Sequence, residues 1–471
     1  MKLFRRRTTN PATATIDVAA APPLSPLAPL DLNDHSEIAA VLDVAGHIGE
    51  ILICAGSTNS DAAEHVKAIT ESFGLWDCHV DLTHSRIRLF ARVDNNPRDP
   101  INVIRVIPAQ AQDFKKLRQV DSLIRDIHTG HASLADAQRR LSDISNAKAS
   151  ISLTGVITAW ACMGGAVSML IGGDLAVSLL SMLAAAAIIA LGALLGRLRL
   201  PIFFQNVAGG IFAAVLAALA YHIGTDYGLI LRPSMVIGTS IIAMLAGLTL
   251  VQAIQNGVTF APVTGNARFF DTIIITCGIV AGVGIGIELS NALNMPLPPM
   301  ETVAVPNFAS NSIRVLGGAL ASAAFARACY AEWPSVAVSG LTALAGSSLY
   351  YFALQPTVLD GVSAIAVTAV FIGLLGGLLA RRFHIPPLIV TIAGVTPLLP
   401  GLAIYRGMYG VLHDQVLVGF ANLTLALATA TALSAGVVFG EWIARKLRRP
   451  CGLASYKQLA RIMGSSSGFF N

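Results

Sequence analysis

The sequence predicts an α-helical polytopic membrane protein of about ten transmembrane helices, in a five-plus-five inverted repeat, with an N-terminal α/β cytosolic domain. Three observations carry this. The 471 residues are 54% hydrophobic and 13% charged, with a mean hydropathy of +0.66, whereas about a quarter of an ordinary soluble chain is charged. The charges are also segregated: residues 1–150 hold 17 Lys/Arg and 18 Asp/Glu, and the other 321 residues hold 15 and 9. Beyond Ser150 the apolar runs reach the ~20 residues that a helix needs to cross a bilayer. The net charge of +5 is spread over short loops and forms no basic face, so nucleic acid is not an expected partner.

Residues 1–31 are expected to be a disordered tail. Lys2, Arg5, Arg6 and Arg7 are followed by Thr, Ala and five prolines up to Pro29, where a secretory signal needs an apolar core. The cysteines (Cys54, Cys78, Cys162, Cys277, Cys329, Cys451) show no ligand or disulfide spacing, so no metal and no cofactor is expected. Residues 32–150 read as the α/β domain. Asp34 with Glu37 forms a capping pattern, and Ile38, Val41, Leu42, Ala45, Ile48 and Leu52 recur at helical spacing up to Gly56. After Ser57-Thr58-Asn59-Ser60, a second helix carries Ala62, Val66, Ile69 and Phe73 and stops at Gly74. The period then becomes two: Val80 and Leu82, then Ile87, Leu89, Ala91 and Val93 against Arg86, Arg88 and Arg92, and again along 101–107. Amphipathic helices at about 113–128 and 133–146 lead to the membrane, and His128 and His131 at the end of the first read as solvated.

Ten spans are expected near 151–172, 174–196, 201–222, 233–253, 269–290, 312–331, 334–354, 359–380, 386–405 and 416–443. They group as a first membrane unit (151–294), an external linker (295–311), a second unit (312–445) and a basic cytosolic tail (446–471). Arg197, Arg199, Arg268, Arg327, Arg381, Arg382, Arg445, Lys446, Arg448 and Arg449 fall on one set of loops, and Arg232, Arg314 and Arg406 on the other. This bias puts both termini in the cytoplasm. Ala246-Gly247-Leu248-Thr249 resembles Ala393-Gly394-Val395-Thr396, and Ala281-Gly282 with Gly286 and Glu288 resembles Ala435-Gly436 with Gly440 and Glu441. An odd number of spans per half makes such halves inverted, as in many secondary transporters. Pro397 and Pro400-Gly401 interrupt the ninth span, and the fourth runs into Gln252, Gln255, Asn256-Gly257 and Pro262. Broken backbone at membrane depth is tolerated only against protein or a wet cavity. The glycines of the fifth, eighth and tenth spans let helices approach closely.

Several stretches resemble the threonine/serine exporter family of actinobacteria: Ser25-Pro26-Leu27-Ala28-Pro29, Asp34-His35-Ser36, Gly74-Leu75, His79-Val80-Asp81-Leu82-Thr83, Phe203-Phe204-Gln205-Asn206-Val207, Ala246 to Gln252 and Ala267-Arg268-Phe269-Phe270. So does Ile385-Pro386-Pro387 through Gly394, Pro397 and Leu399-Pro400-Gly401 to Tyr405-Arg406-Gly407-Met408-Tyr409. The resemblance implies a fusion of two units, and export of L-threonine and L-serine across the plasma membrane driven by the proton-motive force. Similar proteins carry an acidic residue where this chain has Asn256. The implied partners are threonine or serine, protons and the lipid bilayer, with a homo-oligomer left open. Small dicarboxylates such as succinate, the cargo proposed for two-protein relatives, are the alternative.

Within this reading Gln205, Asn206, Gln252, Gln255 and Asn256 are candidate substrate-binding side chains. Pro397, Pro400 and Gly401 free backbone groups for a zwitterion, and Tyr405 and Arg406 mark the external mouth. A carboxylate inside a span needs a partner or a wet path. Glu288 is therefore the expected proton acceptor on the external side, with Asp271 as the release point or a salt-bridge partner of Arg268. The rival class is a serine hydrolase built from Ser57, His79 and Asp81, since a hydrolase-like resemblance has been suggested for the soluble domain of this family. Ser57 lies between two helices and not on a strand-to-helix elbow, which disfavours catalysis.

Overall fold

The structure, a computed structural model, describes residues 34–91, 101–108, 112–147, 150–227, 231–242, 244, 246–297, 308–357, 361–412 and 415–448. The tail 1–31, most of the linker 295–311 and nearly all of 446–471 lie outside them, as do Arg92, Val93 and Cys451.

The N-terminal region is mixed α/β. Asp34 accepts from the Ser36 amide at 2.7 Å and opens α1 (His35–Cys54), and Thr58 accepts from the Asp61 amide and opens α2 (Asn59–Ser72). The strands β1 (Cys78–Leu82), β2 (Arg86–Ala91) and β3 (Ile101–Val106) form one antiparallel sheet in that order, with Val80 opposite Leu89 and Leu89 opposite Val103. Alternation turns Ile87, Leu89 and Ala91 inward, onto the buried stripe Ile38, Val41, Ala45, Ile48 and Leu52 of α1. The helices α3 (Phe114–His128) and α4 (Leu134–Asn146) close the layer. His128 is not solvated: it is buried, with Nδ1 2.8 Å from the Ser72 hydroxyl, because α3 packs under the end of α2.

Beyond Ser150 the elements are α5 (Leu153–Ile171), α6 (Leu175–Arg197), α7 (Ile202–Asp226), α8 (Pro233–Ile242), α9 (Ala246–Val258) and α10 (Pro262–Ala292). Then follow α11 (Phe308–Ala328), α12 (Trp333–Ser348) running into a π-helical turn Leu349–Leu354, and α13 (Gly361–Phe383). Last come α14 (Pro387–Val395) with a 3-10 turn Thr396–Leu398, α15 (Gly401–Leu412) and α16 (Val416–Arg448). Among the described residues seven helices are long and apolar enough to cross a membrane, and nine if the bent pairs α8–α9 and α14–α15 each count as one span. The helix expected at 312–331 exists as α11 but is less apolar. Its Arg314 and Ser322 are buried inward, and Gly317 lies against the Ala166 carbonyl and the Leu170 amide of α5. Its opposite face, with Ile313, Leu316 and Leu320, is exposed.

Two expectations are corrected. The fourth span breaks between the end of α8 at Ile242 and the start of α9 at Ala246, while Gln252, Gln255 and Asn256-Gly257 all lie inside α9. Arg268 is not on a loop: Pro262, at the first position of α10, starts that helix two turns early and leaves Arg268 2% exposed within it.

The same glycine crossing occurs twice. On α10, a Cβ at Gly278 or Gly282 would meet the carbonyls of Phe203 or Val207 on α7. On α16, one at Gly436 or Gly440 would meet those of Ala366 or Val370 on α13. In return Gly210 of α7 faces the Ile279 carbonyl and the Val283 amide, and Gly373 of α13 faces the Val437 carbonyl and the Glu441 amide. These contacts match Gly282 to Gly440, one helical turn away from the sequence match of Gly282 to Gly436. Likewise Ala246–Thr249 follows the first break, whereas Ala393–Thr396 precedes the second.

Candidate functional site

The two breaks meet inside the bundle. The pair α8–α9 bends by 45° and the pair α14–α15 by 48°. A Cβ at Gly247 would lie 2.8 Å from the Gly401 amide nitrogen, so the chains touch backbone to backbone. Beside this contact is a cavity of about 20 Å³ lined by Ile242, Gly247, Thr276, Leu399, Gly401 and Tyr405. It has room for ordered water, and an amino acid requires it to widen. The Tyr405 hydroxyl is buried without a hydrogen-bond partner. Its ring lies 5.9 Å from that of Tyr409, which is within electrostatic range of Glu288.

A second polar cluster lies where the α/β domain sits on the bundle. Domain and bundle share one core: Phe114 meets Phe325 of α11 edge-on at 6.1 Å, its amide donates to the Cys329 carbonyl at 2.9 Å, and Arg118 pairs with Glu332. The loop between α1 and α2 enters the end of the bundle. The Asn59 amide donates to Asn256 Oδ1 at 3.1 Å, and Asn59 Nδ2 donates to Thr264 Oγ1 at 2.6 Å. Gly56 has φ +101°, and a Cβ there would stand 2.8 Å from Gln252 Nε2, so this turn needs glycine for both shape and proximity. Under the loop, Arg268 Nη1 donates to Gln252 Oε1 at 2.9 Å. The negative groups within range of this guanidinium are Asp271 and Cys54. Asp271 is half exposed and 3.4 Å from His84, and burial pushes the Cys54 thiol up to about 11, so at neutral pH that thiol carries no charge.

The third cluster joins α2 to α16. Asp61 and His65 are fully buried, and Arg445 and Glu441 of α16 act electrostatically on Asp61. Burial raises the Asp61 carboxyl well above the usual range. Burial, with His128 and Arg445 near, brings His65 down to about 3. Between pH 6.5 and 3 the unfolded chain therefore takes up a proton at His65 that the folded protein refuses, and stability falls with pH by roughly 1.4 kcal/mol per unit. Asp61 acts in the opposite sense, holding in the fold a proton that the unfolded chain releases above ~3.8. His65→Leu removes only the first effect. From pH 6.5 to 5 its melting temperature should fall less than that of the wild type, by the equivalent of about 2 kcal/mol; parallel curves would contradict the assignment.

The expected site residues are distributed over these places. Pro400 and Gly401 form the second break, and Pro397 lies in the 3-10 turn before it. Gly401 and Tyr405 line the cavity; Arg406 is half-buried one position on, with Nε and Nη2 unpartnered. Gln252 and Asn256 are at the domain junction, and Gln255 is buried on the same helix. Gln205 instead donates to the Leu200 carbonyl at 2.6 Å, and Asn206 is buried against Gly278. Glu288 and Asp271 are both exposed on α10. Thr276, Arg268, Asn59, Asp61, His65 and Glu441 were not singled out as site residues from the sequence. Glu441 had a signal available, as a carboxylate within an apolar run; Asn59 had none, because its partners are about 200 residues away.

Ser57 is fully buried, whereas His79 is 68% exposed and pairs with Asp77. Among the described residues no three His, Cys, Asp or Glu side chains gather as a metal site.

A family model described as a putative threonine/serine exporter matches residues 43–290, and one described as threonine/serine exporter, ThrE, matches 314–443. The chain is 50% identical over 449 residues to the threonine/serine exporter of Corynebacterium glutamicum, covering 95% of this chain and 91% of that protein. It is 30% identical over 425 residues to a probable threonine/serine exporter of Mycobacterium tuberculosis, covering 88% and 78%. No solved structure matches.

Proposed function

The chain belongs to the threonine/serine exporter family of membrane transporters, and we propose that it carries L-threonine and L-serine out across the plasma membrane between its two broken helices. The observation that carries this reading is the backbone contact of Gly247 with Gly401 beside a cavity bearing Thr276 and the unpartnered Tyr405 hydroxyl. Broken helices expose amides and carbonyls that suit the two charged ends of an amino acid. Threonine and serine also bring a hydroxyl for the Tyr405 and Thr276 oxygens.

The matched crossings of α7 with α10 and of α13 with α16 support two units of five spans, with α11 as the tenth crossing and the halves inverted. The α/β domain lies at the end of the bundle that carries Arg268, Arg327 and Arg445. The positive-inside rule then makes this end cytoplasmic. The loop from Gly56 to Asn59 acts there as a cover on the inner mouth. Protons enter from outside at Glu288 and reach the cavity past Tyr409 and Tyr405, with Asp271 on the inner side.

Exchange in proteoliposomes tests the substrate. Vesicles loaded with labelled threonine should release it faster when unlabelled threonine or serine is added outside, and should not respond to succinate. Acceleration by succinate alone would replace hydroxy amino acids with dicarboxylates.

A further inference from the structure

The buried guanidinium of Arg268 is under-used. It is 2% exposed, spends one donor on Gln252 Oε1, and leaves Nε and Nη2 without partners. Gln252, 3% exposed, leaves Nε2 free beside it. Asn59 Oδ1, brought to the same junction by the Thr264 and Asn256 hydrogen bonds, is a buried acceptor without a donor. Arg268 and Thr264 are one turn apart on α10, and Asn256 Nδ2 donates to the Gln252 carbonyl one turn earlier on α9, so these groups form one connected patch. Three free donors around a fixed positive charge and one free acceptor remain. The negative side chain within range, Asp271, is half exposed and lies against His84, so the buried guanidinium is only partly compensated, and a planar fork of this kind matches a carboxylate.

We propose that Arg268 and Gln252 form an inner binding site for the α-carboxylate of the exported amino acid, covered by the Gly56–Asn59 loop. The carboxylate takes the Arg268 Nε and Nη2 donors and the Gln252 amide, and the ammonium group takes Asn59 Oδ1. The site is separate from the cavity at Gly247 and Gly401, and substrate reaches it when the loop lifts from Gln252. This inference rests on the reading of the chain as an amino-acid exporter.

The test compares threonine with threoninamide, which keeps the side chain and ammonium but replaces the carboxylate with a neutral amide. Each is used as a competitor of labelled-threonine exchange in proteoliposomes, with succinate as a third arm. The wild type should prefer threonine. In Arg268→Gln that preference should fall roughly tenfold or more, the scale of one charge-assisted contact, with threoninamide little changed. Arg268→Lys, which keeps the charge and loses the fork, should lie between. A general structural role would weaken both ligands equally. Equal weakening, no change, or a wild type without preference overturns the proposal. If Arg268→Gln fails to reach the membrane, Arg268→Lys and Gln252→Leu carry the same comparison. A wild type that exchanges succinate and not threonine overturns the exporter reading instead; in that case Arg268→Gln shows whether the carboxylate site stands, by its effect on succinate.

Discussion

Gly282→Ala and Gly440→Ala should each remove most of the folded protein. In both, the new methyl falls inside the van der Waals radius of a carbonyl on the facing helix, Val207 or Val370. Backbone cannot rotate away as a side chain tip can, so the helices must separate along the crossing. Overpacking of a tight core costs ~1–3 kcal/mol, and a backbone contact puts these two at the upper end. Gly192→Ala on α6, where nothing lies within 4 Å, should be neutral or slightly stabilising, since alanine favours helix over glycine. The monodisperse yield of the three variants from one membrane preparation checks this. Wild-type yield for Gly282→Ala would mean that α7 and α10 do not cross at that glycine.

Replacing Pro400-Gly401 with Ala-Ala should leave the protein in the membrane and reduce export by an order of magnitude or more. A Cβ at Gly401 meets nothing closer than 3.8 Å, so the change is not a clash. It acts on the backbone: proline lacks the amide hydrogen that a continuous helix needs, and alanine supplies it. Helix from α14 into α15 would then straighten the 48° bend and withdraw the free backbone groups from the cavity. Threonine exchange at equal protein level is the readout. Unchanged exchange would make the bend a packing feature.

The sequence made the local pattern legible and left the register between distant elements hidden. Ile38, Val41, Ala45, Ile48 and Leu52 are all fully buried, and α3 and α4 begin within a residue of their expected starts. In each case a period of two or 3.6 was imposed by one solvent boundary. The prolines revealed the second break, which lies at Pro397 to Pro400. The first break contains no proline, and the polar run Gln252 to Gly257 that suggests an interruption lies beyond it, inside α9. Within that run Arg268 takes up the Gln252 side chain and the Asn59 amide takes up that of Asn256, the second contact set by chain folding over about 200 residues. The glycine register also slipped by one turn, because small residues spaced four apart look alike until the facing carbonyls are known.

The central claim is that a proton gradient drives hydroxy amino acids out through this chain. One charge crossing 100 mV is worth about 2.3 kcal/mol, enough for a roughly fiftyfold gradient of a neutral solute. The direct measurement is net efflux of labelled threonine from loaded proteoliposomes when the outside is made acidic, for the wild type and Glu288→Gln. The account predicts that acid outside accelerates wild-type efflux and not that of Glu288→Gln, while threonine exchange without a gradient stays equal in both. Wild-type efflux indifferent to the imposed gradient would contradict it.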